Sequence, residues 1–238
     1  MSYTFIDLFA GIGGIRIAFE RNGMVEAYIY KSMAAKMNDL GYIHTYIVDS
    51  GIENFDLLKL LAMFTNAPGL RRSMDKIYEI VAYALFDTII HTLEVRLSLS
   101  VDTVDAALRS DFSDFSQKIF GLSRDVTQRQ HAARVYRVGT TNANDGGLDL
   151  WANFGPAIQV KYFFLNASHI QSITSAVKAD KFIVVCTDAD KDVITNVLLQ
   201  AGDTTRVQSI VTLSDLKAWY DIVLSDTYKD TMGDYLMR

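Results

Sequence analysis

Asp149, Gln159 and Lys161 are the residues of this chain whose types and spacing best suit chemistry. They stand on two stretches, GGLDLWAN and AIQVKYFF, that read as short strands joined by a tight Asn-Phe-Gly-Pro turn. Side chains alternate along a strand, so Gln159 and Lys161 share one face while Ile158, Val160 and Tyr162 share the other. If Asp149 lies opposite them on the hairpin, an acid, an amide and an amine converge. A metal-dependent phosphodiesterase needs that arrangement. A carboxylate holds Mg²⁺ through oxygen, a second oxygen ligand helps, and the metal polarises the phosphate and lowers the pKa of its water. A lysine beside it can stabilise the developing charge or orient the attacking water. The plainer reading is a solvated hairpin face, and the three residues taken alone favour it.

The elements around the hairpin must hold these groups in place. RVYRVGT, from residue 134, alternates and is rich in valine, so it reads as a third strand. SMDKIYEIVAYALFDTIIHTLEVRL, residues 73–97, reads as a long helix. Ser73 can cap it, and Asp75 suits its positive end. Ile77, Ile80, Val81, Ala84, Leu85, Thr88 and Ile89 trace its apolar face. Glu79 lies beside that face, where a carboxylate is costly unless it is paired or binds a cation. After the hairpin the pattern alternates: helix NASHIQSITSAVKA, strand KFIVVCT, helix ADKDVITNVLLQAG, strand RVQSIVT, helix LSDLKAWYDIVL. The near-continuous apolar strand predicts a central place in a mixed sheet covered on both faces, hence an α/β fold. Asp188 and Asp190 fall at its C-terminal end, where α/β sites often lie, although Asp190 also suits a helix start.

Charge is local. The chain has 238 residues and a formal charge of −5, so any nucleic-acid site must be a patch. Arg124, Arg129, Arg134 and Arg137 form one such cluster, with Lys118 upstream, directly before the proposed catalytic strands. Arginine neutralises phosphates and reads guanine edges, so these four are candidate DNA contacts; the alternative is a solvated face. In the loop before Asp149, Asn144 is a candidate contact to a base or the metal, and Asp145 is a reserve metal ligand. Both residue types also serve ordinary turns. The single cysteine, Cys186, excludes an internal disulfide and a cysteine-based zinc cluster. His44, His91, His131 and His169 show no metal-ligand spacing. No apolar run reaches membrane-span length and no signal-peptide pattern opens the chain, so a cytoplasmic protein is the default.

The order Asp149, turn, Gln159-Val160-Lys161 resembles the PD-(D/E)XK nuclease motif, with Gln159 where the second acid usually stands. The longer run TNANDGGLDLWANFGPAIQVKY, and then DKFIVVCTDADKDVI, resembles the C-terminal part of HaeII-like type II restriction endonucleases. The resemblance implies a core of helix, three strands, helix and strand, with added elements at both ends. It implies a Mg²⁺-dependent endonuclease cutting double-stranded DNA at a short GC-rich palindrome. It further implies a homodimer, a cognate DNA methyltransferase as genetic partner, and no membrane. Asp149 is then the principal metal ligand, Gln159 the second and Lys161 the charge stabiliser. Glu79 is the candidate third acid, against an ordinary helix-surface Glu, with Asp87 the weaker choice. The Gln puts the second ligand in question, since an amide oxygen ligates a hard cation without charge. A catalytically inactive DNA-binding relic is the alternative.

The first residues carry a second, local resemblance. DLFAGIGG is similar to the first motif of cytosine-C5 DNA methyltransferases, which implies that Asp7, Phe9, Gly11 and Gly13 line S-adenosylmethionine. The rest of such an enzyme is missing: neither Pro68 nor Pro156 precedes a cysteine. Two explanations stay open, a strand and helix recruited for packing or a junction between neighbouring genes. The expected organisation is a methyltransferase-motif-like segment over 1–31, an irregular to helical connection over 32–69, and the nuclease domain over 70–238. Met33, Met37 and Met63 read as core filler, and the tail after residue 224 as loosely held.

Overall fold

The computed structural model describes residues 23–102, 105–138, 148–176, 179–190, 192–193 and 206–236. Its first elements are helices α1 (Gly23–Ser50) and α2 (Leu57–Asn66), then a 3₁₀ turn at Arg71–Ser73 and helix α3 (Met74–Thr92). An excursion follows, made of strand β1 (Arg96–Ser100), helices α4 (Ala106–Asp111) and α5 (Ser113–Phe120), and strand β2 (Gln128–Ala132). Next come β3 (Val135–Arg137), β4 (Leu150–Ala152), β5 (Ala157–Val160), β6 (Phe164–Leu165) and helix α6 (Ala167–Ala176). Strands β7 (Phe182–Val185), β8 (Asp188–Ala189) and β9 (Val207–Val211) and helix α7 (Leu213–Val223) complete the core.

The central sheet has the order β3-β4-β5-β7-β9. Its first three strands are antiparallel neighbours, and β5, β7 and β9 run parallel. This is the mixed α/β architecture expected of a restriction-endonuclease-like core. Alternation on β5 and β7 feeds two separate cores. Ile158, Val160 and Val185 pack with Tyr78, Val81 and Leu85 of α3 and with Leu216 and Tyr220 of α7. Ala157, Phe182, Val184 and Cys186 pack on the other side with Ile173 of α6. Both faces are therefore covered at β5 and β7, which is why these two strands read as continuous apolar runs.

Three polar contacts fasten α3 to the sheet and to α7. The Tyr78 hydroxyl donates to the Cys186 carbonyl at 2.7 Å, and the Tyr220 hydroxyl donates to the Val81 carbonyl at 3.0 Å. The Tyr162 N–H donates to the Asp75 carboxylate at 2.8 Å. A buried carbonyl without a donor is costly, so each bond fixes the helix in register as well as in place.

Several sequence-based expectations change. Residues 24–50, which lack a firm apolar period, are helical; much of α1 from residue 31 onward is exposed, with Met37 at 69 %. Met33 and Met37 are thus not core filler, whereas Met63 packs partly against the core. Ser73 makes no side-chain cap bond, because it closes the 3₁₀ turn. The helix ends at Thr92, not at 97: Glu94 takes a positive φ of 51°, and residues 96–100 become β1. Ala189, expected to open a helix, instead joins Asp188 in β8, which pairs with β6. The tail is held: Met232 is buried in the α3 core, and the Tyr235 hydroxyl donates to Asp87 at 3.0 Å. Asp87 is thereby committed to the tail.

Replacing Tyr78 by Phe keeps the ring and leaves the Cys186 carbonyl without its donor. Urea unfolding should register a loss of roughly 1–2 kcal/mol. An unchanged midpoint would mean that this bond does not fasten the helix.

Candidate active site

The site forms where the β4–β5 ladder stops. Leu150 pairs with Ile158 and Trp151 with Ala157, so Asp149, one residue before the strand, falls opposite Gln159. The odd-numbered amides of β5 face β7: the N–H of Lys161 donates to the Val185 carbonyl at 2.8 Å. The N–H of Val160 therefore faces β4, where the ladder has run out. It donates instead to Asp149 Oδ2 at 2.8 Å. A side-chain carboxylate takes the place of a ladder carbonyl, and this fixes the acid at the strand end. Lys161 Nζ reaches the same oxygen at 3.4 Å. Acid and amine thus lie on one side, as alternation along the strands predicts.

Burial pushes the Asp149 carboxyl above its usual range. The Val160 N–H and the Lys161 ammonium pull it back down, and the charge of Glu79 pushes it up again. Gln159 is only 6 % exposed, and its Oε1 has no hydrogen-bond partner among the described residues. A buried amide oxygen in that state costs about 1–3 kcal/mol unless something outside the chain satisfies it. Both hydrogen bonds to Asp149 fall on Oδ2, which leaves Oδ1 without one among the described residues. Two oxygens short of partners, one of them anionic, suit a hard cation such as Mg²⁺. Among the described residues no three His, Cys, Asp or Glu side chains gather as a metal-binding group, so Asp149 would supply the charge and Gln159 an uncharged oxygen.

Glu79 stands differently. It is buried on α3, with Oε1 and Oε2 at 2.7 and 2.6 Å from Lys76 Nζ and Oε1 at 3.0 Å from Arg137 Nε. Both of its oxygens are engaged by cations of the chain itself. As a third metal ligand it would have to give up one of these pairs. Arg137 pairs with it while remaining exposed, one strand away from Asp149; the N–H of Val138 donates to the Asp149 carbonyl at 2.9 Å.

The other candidate DNA contacts separate. Arg124 and Arg134 are exposed. Arg129 is exposed as well, and its guanidinium lies against Gly121. Asn144 and Asp145 lie outside the described residues, as do Asp7, Phe9, Gly11 and Gly13. Asp188 is exposed and accepts the N–H of Ala189, and Asp190 is exposed at the end of β8. Sequence reasoning missed Asp75, which holds the amide directly after Lys161. Its signal was available: Asp75 and Glu79 stand four residues apart, on one side of the same helix.

Among the described residues no helix is long and apolar enough to cross a membrane. The chain is 41 % identical over 217 residues to the type II restriction enzyme HaeII of Haemophilus aegyptius, covering 91 % of this chain and 62 % of that one. It is 38 % identical over 209 residues to the type II restriction enzyme NgoBI of Neisseria gonorrhoeae, covering 88 % and 59 %. The chain thus spans about three fifths of the length of these curated relatives. No solved structure matches it. The HaeII restriction endonuclease family model matches residues 16–238, beginning after the DLFAGIGG run and taking in the whole described fold. With the Asp149 hairpin, the mixed sheet and this match over most of its length, the chain belongs to the HaeII restriction endonuclease family.

Proposed function

We propose that this protein is a Mg²⁺-dependent type II restriction endonuclease that hydrolyses double-stranded DNA at a short palindromic site. The observation that carries the reading is the Asp149 carboxylate, fixed by the Val160 N–H and touching the Lys161 ammonium, in strand register opposite Gln159, whose amide oxygen is buried. Asp149 and Gln159 would hold the metal. When bound, Mg²⁺ supplies Lewis acidity toward the phosphate and a more acidic water. Lys161 keeps a positive charge where negative charge develops on the phosphate, and Val160 keeps the carboxylate from turning away. Glu79 acts on the site through its charge and through Arg137, and it becomes a direct ligand only if the pair with Lys76 or Arg137 opens. Arg124, Arg129 and Arg134 are exposed and are offered as phosphate contacts.

A GC-rich target, two copies meeting it through a shared two-fold axis, a cognate methyltransferase and a cytoplasmic setting complete the reading. They rest on the family alone. A second reading, a DNA-binding relic without cleavage, is favoured by one observation: Gln159 stands where the motif usually carries a second acid, so this position offers a metal an oxygen without charge.

Plasmid DNA incubated with the protein separates the two readings. Discrete fragments with Mg²⁺, abolished by EDTA, support the nuclease; a mobility shift without cutting supports the relic. Lys161→Ala should lower cutting by about 10²–10³-fold while DNA binding persists. Unchanged cutting would remove Lys161 from the mechanism.

Metal affinity should also depend on pH. Mg²⁺ needs the ionised carboxylate, and burial holds the Asp149 carboxyl above the usual range. Affinity measured by calorimetry should therefore fall as pH drops through that raised value, and Asp149→Asn should abolish the dependence. A dependence that survives the substitution assigns the charge to another acid. Glu79→Gln leaves Lys76 and Arg137 without their anion and should destabilise the fold by roughly 1–3 kcal/mol in urea unfolding. A stable variant that has lost only Mg²⁺ affinity would make Glu79 a ligand instead.

A further inference from the structure

The excursion between α3 and β3 takes no part in the Asp149 site. Its two strands, β1 and β2, form a separate antiparallel ribbon. Every residue of β2 is exposed, and in β1 only Leu97 is half-buried. Such a ribbon is marginal by itself in water, so its openness on both sides calls for a use. The register pairs Arg96 with Ala132, Ser98 with Gln130 and Ser100 with Gln128. Directly opposed residues share a face, so one face carries Arg96, Ser98, Ser100, Gln128 and Gln130. The other carries Leu97, Leu99, Arg129 and His131. This second face turns toward the inserted helices, because the Arg129 guanidinium lies against Gly121 at the end of α5.

The first face therefore presents amides, hydroxyls and one guanidinium, which the exposed Glu94 carboxylate just before β1 approaches at 3.8 Å, and no large apolar side chain. Gln128 Nε2 donates to Ser98 Oγ, which orients one of the amides. We infer that this face is the base-reading surface of the protein and enters the major groove of double-stranded DNA. The inference rests on the endonuclease or DNA-binding reading above and names the residues that choose the sequence. A two-stranded ribbon has the width the major groove admits. Glutamine amides match adenine edges, arginine matches guanine, and serine matches either. Charge agrees: residues 94–100 and 124–137 hold five arginines and two acids in a chain of net charge −5. Position agrees as well. From β2 the chain passes through Ala133 and Arg134 into β3, whose Arg137 pairs with Leu150, the neighbour of Asp149. A ribbon seated in the groove is thus tied directly to the strand next to the reacting end.

The test is a mobility-shift selection from a pool of randomised duplex DNA, run in Mg²⁺ and in EDTA. The full chain is compared with Gln128→Ala/Gln130→Ala, with Arg96→Ala and with His131→Ala. All these side chains are exposed, so thermal melts should stay unchanged and confirm that each variant folds. The unaltered chain should enrich one motif. The glutamine and arginine variants should each lose preference by about 10- to 100-fold at one or two positions of it. Their affinity for random duplex should stay the same, and His131→Ala should select the original motif. Variants that all enrich the original motif would overturn the ribbon assignment and leave the nuclease reading intact. A chain that enriches no motif also overturns it, and cleavage of plasmid DNA then decides the nuclease reading by itself. Loss of random-duplex affinity in step with loss of motif would reduce the ribbon to a phosphate contact.

Discussion

The hydrogen bond from the Val160 N–H to the Asp149 carboxylate is the contact on which the rest of the site depends. It exists because the β4–β5 ladder ends one residue too early to give that amide a backbone partner. The chain solves a backbone problem with a side chain, and the solution leaves an anion fixed at the sheet's end. Lys161 then needs no separate anchor, since its own amide is held by β7 and its ammonium meets the same oxygen. Fixed groups are what electrostatic catalysis requires, because no reorganisation remains to oppose the reaction.

A network on α3 supports this arrangement. Tyr78 ties the helix to the carbonyl of Cys186, and Asp75 holds the amide that follows Lys161. Glu79 sits between Lys76 and Arg137, so its buried charge is compensated by two cations. Left uncompensated, that charge would be far more costly than the pairs are stabilising. The burial that protects the site also raises the Asp149 carboxyl, while Lys161 and the Val160 amide limit the rise. Cys186, buried behind the sheet with its thiol pushed up to about 12, is a packing residue rather than a nucleophile.

Much of this was legible before any coordinates. Gln159, Val160 and Lys161 follow the simple alternation of a strand, and each falls on the face that alternation assigns. The mixed sheet followed from apolar strands too continuous for a one-sided sheet. Where periodicity was weak, reading failed. Helix α1 has no firm apolar period because much of it from residue 31 onward is exposed, so no core imprints a pattern on it. The β1–β2 ribbon was missed for another reason: Arg96–Ser100 alternates, but the helix reading ran over its start to residue 97, and the exposed Gln128–Ala132 has no apolar period to pair with it. The tail read as loose because its anchors, Met232 and Tyr235, are single residues that meet α3 across a long loop of sequence.

The sequence by itself determined which chemical groups are present, which face of each strand they take, and that a carboxylate, an amide and an ammonium fall on one hairpin. Those are consequences of local period, and local period needs only neighbours along the chain. Tertiary structure decided what each group touches. Glu79 became a partner of Arg137 because residues 58 apart in sequence were brought to 3.0 Å, a contact that no spacing rule encodes. The same closure took Asp87 for the tail, left Gln159 with a buried oxygen lacking a donor among the described residues, and left the Arg96, Gln128 and Gln130 face of the ribbon exposed. Polar partners are chosen by where the cores bring distant segments together, and that choice is made only once both faces of the sheet are covered.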